Sequence, residues 1–366
     1  MTQALRIVHT ESSCGWGGQE IRILTEATGM MERGHQLHIL CVDGSNIHRE
    51  AVKRGIPVTG LPIGRKNIAG LRAIRRWLHD NPVDVVNTHS STDSWLVALA
   101  RLGLKKRIPV VRTRHISALI PQNWATRWLY TKGCDFVVTT GERLREYVVE
   151  RTHLAAEKTL SVPTGIDAQR FVSGDRHTAR QALKLPEHRI IIGIVATIRT
   201  WKGHAYLVEA LAKLKQTNVE LLIVGDGPNQ ANVQRVVDEH QLNDRVRFVG
   251  QQENVVPWLQ AMDIFVLPSY ANEGVPQSLI QAMMCGIPVI STNVGSITEL
   301  VVDQSTGVIV PPKNADDLAA AIQLLLANPQ QREQLAIAGQ QSVLSNFSLD
   351  IMIRKMETVF AATRRS

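Results

Sequence analysis

The chain has 366 residues, of which 44% are hydrophobic and 5% aromatic, which is ordinary for an α/β protein and enough for two domains with separate cores. Its formal net charge of +8 lies in one half, because residues 1–170 carry 24 Lys and Arg against 15 Asp and Glu, whereas residues 171–366 carry 17 against 18. The four cysteines lack paired spacing and no run reaches the ~18 apolar residues of a spanning helix, which argues against a disulfide framework, a zinc site and a membrane span.

Short apolar strands alternate with helical stretches along the whole chain. In the first half, strands are predicted near residues 5–10, 36–42, 84–88, 109–113 and 135–140. In the second half, they are predicted near residues 189–196, 219–224, 245–249, 263–267, 287–291 and 307–310. This alternation predicts an α/β fold with two doubly wound parallel sheets, joined by a linker near residues 164–188. The first strand begins without the apolar core of a signal peptide before it, so we expect a cytosolic protein.

A glycine-rich loop follows the first strand and opens a helix. Gly15, Gly17 and Gly18 let the backbone approach a phosphate or an acceptor closely. A dinucleotide-binding domain also has glycines here, but its Gly-x-Gly-x-x-Gly pattern is broken by Glu20, and the Gly-Lys-Ser/Thr of nucleotide hydrolases does not occur. A tight turn without a ligand is the alternative.

The positive charge of the first half is concentrated around a predicted amphipathic helix. The helix carries Arg72, Arg75 and Arg76, and basic residues 65–66 and 105–107 flank it. A basic amphipathic helix beside basic loops is typical of a protein that binds an anionic membrane or a phosphorylated acceptor. The alternative is a solvated helix whose apolar side packs on the domain. No nucleic-acid-binding motif accompanies the charge, so we do not expect nucleic acid as a partner.

Two histidines follow predicted strands of the first half, where open α/β sheets bind ligands. His89 follows the third strand, and His115 follows the fourth with two arginines beside it. A single histidine in such a place is often only a structural hydrogen-bonding group. Trp124, Trp128 and Tyr130 come next, and they either line an acceptor surface or form an apolar stripe of the core.

Two cations open the first helix of the second half. Arg199 and Lys202 follow the strand at residues 190–196, and a helix begins immediately after Gly203. A forked guanidinium and an ammonium group this close together can hold a pyrophosphate from one side.

A carboxylate lies at a second strand-to-helix turn further on. Glu273 follows the strand at residues 263–267, and residues 277–284 can form about two helical turns that include Gln281. Free N–H groups at the start of a helix favour an anion. A carboxylate and an amide on such a unit suit a polyhydroxylated, phosphorylated ligand. The alternative is a capped helix after a loop, with Glu273 solvated.

These segments, in this order, resemble the family-4 retaining glycosyltransferases of the GT-B fold. That family has Arg-x-x-x-Lys-Gly or a near variant around Arg199 and Lys202, and two glutamates with seven residues between them where this chain has Glu273 and Gln281. Further similarities lie at residues 224–228, 248–250, 263–269 and 306–311. The resemblance is dense from about residue 160 to residue 345 and thinner before that.

The resemblance implies two Rossmann-like domains that face a cleft, an acceptor-side domain at residues 1–168 and a nucleotide-sugar-binding domain at residues 169–347. It also implies a C-terminal helix at residues 348–366 that returns to the first domain. It also implies transfer of a sugar from a nucleotide-sugar donor to a glycan or lipid-linked acceptor, with retention of configuration and without a metal or cofactor. The expected setting is bacterial lipopolysaccharide or surface polysaccharide synthesis, in the cytoplasm or peripherally on the inner membrane face.

The resemblance further implies roles for individual residues. Arg199 and Lys202 would neutralise the departing diphosphate, Glu273 would bind sugar hydroxyls, and His89 would lie near the transferred sugar. The remaining residues implied to bind the donor are Gly17, Gly18, Val249, Gln252, Gly274, Val275, Gln277, Ser278 and Gln281.

Two departures from the family's pattern affect the donor site. Gln281 replaces the second glutamate, and an amide binds a diol more weakly than a carboxylate does. Pro276 replaces a glycine and removes one backbone donor. Two alternatives therefore stay open: a nucleotide-sugar epimerase of the same fold, for which the acid and base carboxylates are not found, and a non-catalytic protein that binds sugar or membrane.

Overall fold

The computed structural model describes residues 3–115, 118–271 and 273–365. It divides the chain into two compact units, of which the first comprises Met1–Gly165 and Leu349–Ser366 and the second comprises Ile166–Ser348. Each unit is built around a parallel sheet.

The first unit alternates strands and helices from its beginning. Its strands are β1 (Arg6–Glu11), β2 (Gln36–Cys41), β3 (Val58–Gly60), β4 (Val85–Thr88), β5 (Val110–Arg114), β6 (Phe136–Thr139) and β7 (Thr159–Ser161). Its helices before the second unit are α1 (Gly18–Glu32), α2 (Asn46–Lys53), α3 (Ile68–Asp80), α4 (Ser91–Ala100), α5 (Trp124–Thr131) and α6 (Glu142–Thr152).

The strands of this sheet follow the order β3-β2-β1-β4-β5-β6-β7, so the strand order reverses between β1 and β4. Parallel pairing places His9 of β1 opposite Asn87 of β4. The five predicted strands are present, but the sequence did not reveal β3 and β7, because each has three residues and too short an apolar pattern.

The second unit has the same kind of sheet. Its strands are β8 (Ile190–Val195), β9 (Val219–Val224), β10 (Val246–Phe248), β11 (Ile264–Leu267), β12 (Val289–Thr292) and β13 (Val308–Val310). Its helices are α7 (Arg176–Leu183), α8 (His204–Ala212), α9 (Gln230–Glu239), α10 (Val256–Gln260), α11 (Gln277–Met284), α12 (Ala315–Ala327) and α13 (Pro329–Asn346).

The strand order here is β10-β9-β8-β11-β12-β13, which reverses between β8 and β11. The central strands are buried on both faces, which explains their nearly continuous apolar sequences. Part of the segment predicted as a linker folds into α7, which belongs to this unit. The prediction of two doubly wound α/β sheets is confirmed.

The last helix, α14 (Leu349–Arg365), packs on the first unit, against α1, β4 and β5. Met356 and Phe360 are fully buried in its core. Gly29 of α1 permits this packing, because a Cβ at that position would lie 2.9 Å from the side chain of Ile353.

Candidate active site

Charged side chains follow both strands that flank the point of reversal in the second sheet. Arg199 and Lys202 lie just after β8, on a short 3-10 turn at Thr200–Lys202, and Glu273 lies in the loop after β11. Ligands of open α/β sheets bind outside the carboxyl ends of the strands at such a point. The structure therefore places the three charged residues that the sequence predicted for this half at one edge of the sheet.

Lys202 and Glu273 form an ion pair, with 2.6 Å between Nζ and Oε1. The same Oε1 accepts a hydrogen bond of 2.5 Å from Ser269 Oγ, and no described residue donates to Oε2. Glu273 is only 6% exposed, so the alternative of a solvated carboxylate is wrong. An ammonium group has three N–H donors, and Lys202 donates one of them to Glu273. The pair is thus fixed in place while its other donors and acceptors stay available.

Two glycines let the loops around this pair pack at backbone contact. Gly203 has a φ of +78°, and a Cβ there would lie 2.1 Å from the carbonyl oxygen of Pro268. Gly295 has a φ of +57°, and its Cβ would lie 2.0 Å from the carbonyl oxygen of Glu273. Neither position accepts a side chain without a backbone shift. Neither the role of Gly295 nor that of Ser269 could be predicted from the sequence, because both depend on tertiary contacts.

The exposed Arg199 guanidinium lies 5.2 Å from the centroid of the Trp201 ring. A cation above an indole face is held by electrostatic attraction. The carbonyl of Trp201 accepts a 2.8 Å hydrogen bond from the backbone N–H of Tyr270. The turn that carries both cations is therefore tied to the loop after β11, and the guanidinium remains accessible.

The start of α11 lies at the end of the same loop. Pro276 precedes the helix as its N-cap, and no side chain caps it. The first N–H groups of a helix have no partner within the helix and favour an anion. Of the predicted donor-binding residues, Gly274, Gln277 and Ser278 are half-buried here, whereas Val275 packs into the core.

The other three residues predicted to bind the donor in this unit lie further along. Gln281 is half-buried in the second turn of α11, and its side chain forms no hydrogen bond with a described residue. Val249 and Gln252 follow β10, the edge strand on the β8 side of the sheet, and Gln252 Nε2 donates a 2.7 Å hydrogen bond to the carbonyl of Val249.

In the first unit, the glycine-rich loop follows β1. Gly17 is the N-cap of α1 with an extended backbone, and Gly18 is the first residue of the helix. A Cβ at Gly17 would meet only Glu20 Oε2, at an ordinary 3.8 Å. The fold does not explain a glycine at this position, so access for a ligand remains the prediction.

Three imidazoles lie in a line at the carboxyl edge of β1, β4 and β5. His9 Nδ1 is 2.8 Å from His89 Nε2, and His89 Nδ1 is 2.9 Å from His115 Nε2. His89 is 4% exposed and both of its ring nitrogens are used, so it has none left for a ligand. The outermost nitrogen is Nδ1 of the partly exposed His115, which has no hydrogen-bond partner among the described residues. Burial lowers the pKa of His9 to about 3 and keeps the pKa of His89 and His115 well below the usual value.

A buried ion pair lies at the inner end of this histidine chain. Glu26 Oε1 is 3.8 Å from His9 Nε2, and Glu26 Oε2 is 3.7 Å from Arg22 Nε. Asn87 Nδ2 also donates to Oε1, at 3.4 Å. Burial raises the pKa of Glu26 to about 7, although Arg22 acts in the opposite direction. The sequence signal for this pair is an oppositely charged i, i+4 couple among the buried apolar residues of α1.

Two further carboxylates lie beside the glycine-rich loop. Asp93 of α4 accepts hydrogen bonds from Thr10 Oγ1 and from the backbone N–H groups of His89 and Ser90. Burial, with Asp93 nearby, raises the pKa of Glu11 to about 8. The edge of this sheet is therefore rich in hydrogen-bonding groups that are largely buried.

Among the described residues, no group of three or more His, Cys, Asp or Glu is arranged to hold a metal ion. No described helix is both long and apolar enough to cross a membrane.

Helix α3 packs Ile74 and Leu78 inward and exposes its arginines, one of which, Arg75, donates to the carbonyl of Leu102 at 3.0 Å. Trp124 is 83% exposed, whereas Tyr130 is buried.

Comparison with known proteins adds the family context. The profile described as "Glycosyltransferase Family 4" matches residues 16–170, and that of "Glycosyl transferases group 1" matches residues 175–342. The lipopolysaccharide core biosynthesis mannosyltransferase LpsB of Rhizobium meliloti is 30% identical over 214 residues, which are 55% of this chain and 60% of that protein.

Solved structures show the same fold. A glycosyltransferase from Rickettsia africae has a TM-score of 0.89 at 22% identity and covers 99% of both chains. The Anabaena protein HepE in complex with UDP has a TM-score of 0.88 at 19% identity, over 98% of this chain and all of that one (100%). At these identities the two structures establish the fold alone, and it is the GT-B fold that the sequence predicted.

Proposed function

The chain belongs to the glycosyltransferases that combine a family 4 domain with a group 1 domain, as its ordered motifs predicted, and from this premise we propose its reaction. It transfers a sugar from a nucleotide-diphosphate donor to a glycan or lipid-linked acceptor and retains the anomeric configuration. The observation that carries the proposal is the ion pair of Lys202 and Glu273, held beside Arg199 and the uncapped start of α11.

These groups suit a sugar diphosphate. As the glycosidic bond breaks, negative charge grows on the leaving diphosphate, and preorganised cations and N–H groups stabilise that charge in the transition state. Arg199, Lys202 and the first N–H groups of α11 supply such donors without a metal ion. Glu273 accepts hydrogen bonds from sugar hydroxyls and also orients Lys202. Gln281 contacts the ribose, and the backbone near Val249 and Gln252 lies along the base.

The acceptor belongs to the first unit in this proposal. The partly exposed His115 lies at the carboxyl edge of its sheet, as does the loop at Gly17 and Gly18, which the resemblance assigns to the donor. The exposed arginines of α3 and the exposed Trp124 support an anionic, lipid-linked acceptor at the cytoplasmic membrane face, because basic side chains favour anionic lipid and indole rings favour the interface. The relationship to a lipopolysaccharide core mannosyltransferase supports the same class of product.

The direct test is a screen of UDP-, GDP-, ADP- and dTDP-sugars for thermal stabilisation, followed by product analysis with the best donor. A donor at about 100 times its dissociation constant stabilises the folded state by about 2.7 kcal/mol. We expect one donor to stabilise the wild type clearly and the Lys202→Met variant much less. Donor hydrolysis or transfer with retained configuration supports the proposal. Tight binding without turnover favours a non-catalytic protein, and interconversion of two free nucleotide sugars favours an epimerase.

A further inference from the structure

The three histidines of the first unit are coupled because of their hydrogen-bond geometry. A neutral imidazole has one N–H and one bare nitrogen. His89 uses Nε2 toward His9 Nδ1 and Nδ1 toward His115 Nε2. If His89 carries its proton on Nε2, both neighbours must also carry theirs on Nε2. If it carries the proton on Nδ1, both neighbours must carry theirs on Nδ1. The chain thus has two states, all-Nε2–H and all-Nδ1–H.

The two states differ at both ends of the chain. In the all-Nε2–H state, His9 directs an N–H toward the Glu26 carboxylate 3.8 Å away, and the outer Nδ1 of His115 is a bare acceptor. In the all-Nδ1–H state, His9 Nε2 is bare and needs a donor, which a protonated Glu26 supplies, and His115 Nδ1 becomes a donor. His9 Nε2 is a buried atom without a hydrogen-bond partner. The Glu26 oxygen that faces it, Oε1, accepts only the 3.4 Å hydrogen bond from Asn87, so it has capacity left for His9.

We propose that Glu26 is a positioning residue which, through His9 and His89, sets whether the outer nitrogen of His115 accepts or donates a hydrogen bond. The proton count balances. One proton from solution binds His115 Nδ1, and the Nε2 protons of His115 and His89 pass to their inner neighbours. The Nε2 proton of His9 passes to Glu26 Oε1 when these two side chains move from 3.8 Å to hydrogen-bond distance. The inference rests on the proposed function only in one respect, namely that His115 accepts the hydrogen bond of an acceptor hydroxyl.

Of Glu26 and the three histidines, Glu26 is the group that titrates near neutral pH. Burial raises the pKa of Glu26 to about 7, whereas the imidazoles are held neutral by burial. At a pH above 7 the carboxylate therefore favours all-Nε2–H, and below it the protonated acid favours all-Nδ1–H. The charged and polar groups around the chain are Arg22 and Glu26 of α1, Asn87 of β4 and Asp93 of α4, and the Phe360 ring of α14 covers His9. Glu11 of β1 lies next to Asp93, whereas Arg112 and Arg114 of β5 contact Tyr130 instead.

Ring-nitrogen NMR on the full chain tests the coupling without any substrate. In protein labelled with 15N-histidine, a protonated ring nitrogen and a bare one resonate far apart. We expect all three residues to be Nε2–H at about pH 9 and all three to be Nδ1–H at about pH 5, with a common midpoint near the Glu26 titration. Unlike tautomers within the chain, or the same tautomers at both pH values, would overturn the proposal.

The Glu26→Gln variant removes the exchangeable proton and keeps the shape. We expect its three tautomers to be the same at both pH values, whereas the control Glu220→Gln, which alters a buried carboxylate of the second unit, leaves the switch intact. In transfer assays, kcat of the wild type should be about tenfold lower one pH unit below the Glu26 pKa than at its plateau. Glu26→Gln should lack this decline, with an unchanged KM for the donor.

The outcomes separate the two proposals. A coupled switch without transfer to any acceptor supports the coupling and contradicts the proposed function. Transfer with a pH profile that is the same in Glu26→Gln and wild type contradicts the positioning role. If Glu26→Gln does not fold, the wild-type NMR titration still decides the coupling.

Discussion

The two sheets carry their candidate functional side chains at the same topological place, but those of the second unit are charged and those of the first are neutral. In the second unit, Lys202 and Glu273 form an ion pair and Arg199 is exposed. In the first unit, His9 and His89 are buried, and burial keeps them neutral. Both sets lie where the strand order reverses, between β8 and β11 and between β1 and β4.

The difference follows from the ligands that each half would meet. A diphosphate brings charge, so its site needs permanent cations, which must stay near solvent because a buried ion is costly. A sugar hydroxyl is neutral, and a neutral imidazole can accept its hydrogen bond from a largely buried position. In the proposed function, the second unit would therefore stabilise the leaving group, and the first unit would bind the acceptor.

The largest effect is expected from Glu273→Ala. Loss of the carboxylate removes the partner of Lys202 and the acceptor for sugar hydroxyls, so kcat should fall by about 1000-fold or more. Steady-state kinetics with the best donor measures this, and thermal unfolding controls for folding. Activity within tenfold of the wild type would show that the ion pair is structural.

Removal of either cation should have the next largest effect. Arg199→Ala or Lys202→Ala should lower kcat by about 100-fold, the scale for loss of one donor to developing charge. Arg199 is exposed, so Arg199→Ala should change stability little. Lys202→Ala leaves the buried Glu273 carboxylate without its ion partner and should also lower the thermal stability, so thermal unfolding is measured beside kcat. Near wild-type turnover in either variant would remove that residue from the diphosphate site. Lys213→Ala, an exposed lysine of the same unit, is a matched control for loss of a positive charge.

Charge reversal on α3 tests the other half. The Arg72→Glu, Arg75→Glu, Arg76→Glu variant should bind vesicles that contain anionic lipid at least about tenfold more weakly than the wild type, because each basic residue contributes about 1 kcal/mol near such a surface. Added salt should weaken wild-type binding by screening. Nucleotide-sugar binding should be unchanged. Equal vesicle binding by the two proteins would mean that α3 is only a solvated helix.

The smallest effect is expected from Gln281→Glu, a few-fold gain in donor affinity with activity retained. A carboxylate binds a ribose diol more strongly than an amide does, and the Gln281 side chain has no competing hydrogen bond among the described residues. Calorimetric titration with the donor measures the change. If the variant binds no donor while the wild type does, the ribose role is wrong.

Much of the second unit could be predicted from the sequence, and less of the first. Arg199, Lys202 and Glu273 each follow a recognisable apolar strand, and the carboxyl ends of parallel strands meet at one edge. The chain of His9, His89 and His115 depends instead on the register of three strands, which spacing along the sequence does not determine. A histidine inside a strand gives no signal of its partners. His89 stood out in the sequence because it follows a strand. In the structure both of its ring nitrogens are hydrogen-bonded, and the nitrogen without a partner among the described residues is Nδ1 of His115.

The measurement that tests the division most directly is nucleoside diphosphate affinity, compared between a variant of each half. We expect Lys202→Met to lose at least about tenfold in affinity for the preferred diphosphate, because one charge-assisted contact is removed. His115→Ala should bind that diphosphate as the wild type does and still lose most of its transfer activity. Loss of diphosphate affinity in His115→Ala, with Lys202→Met unaffected, would contradict the assignment of donor and acceptor to the two units.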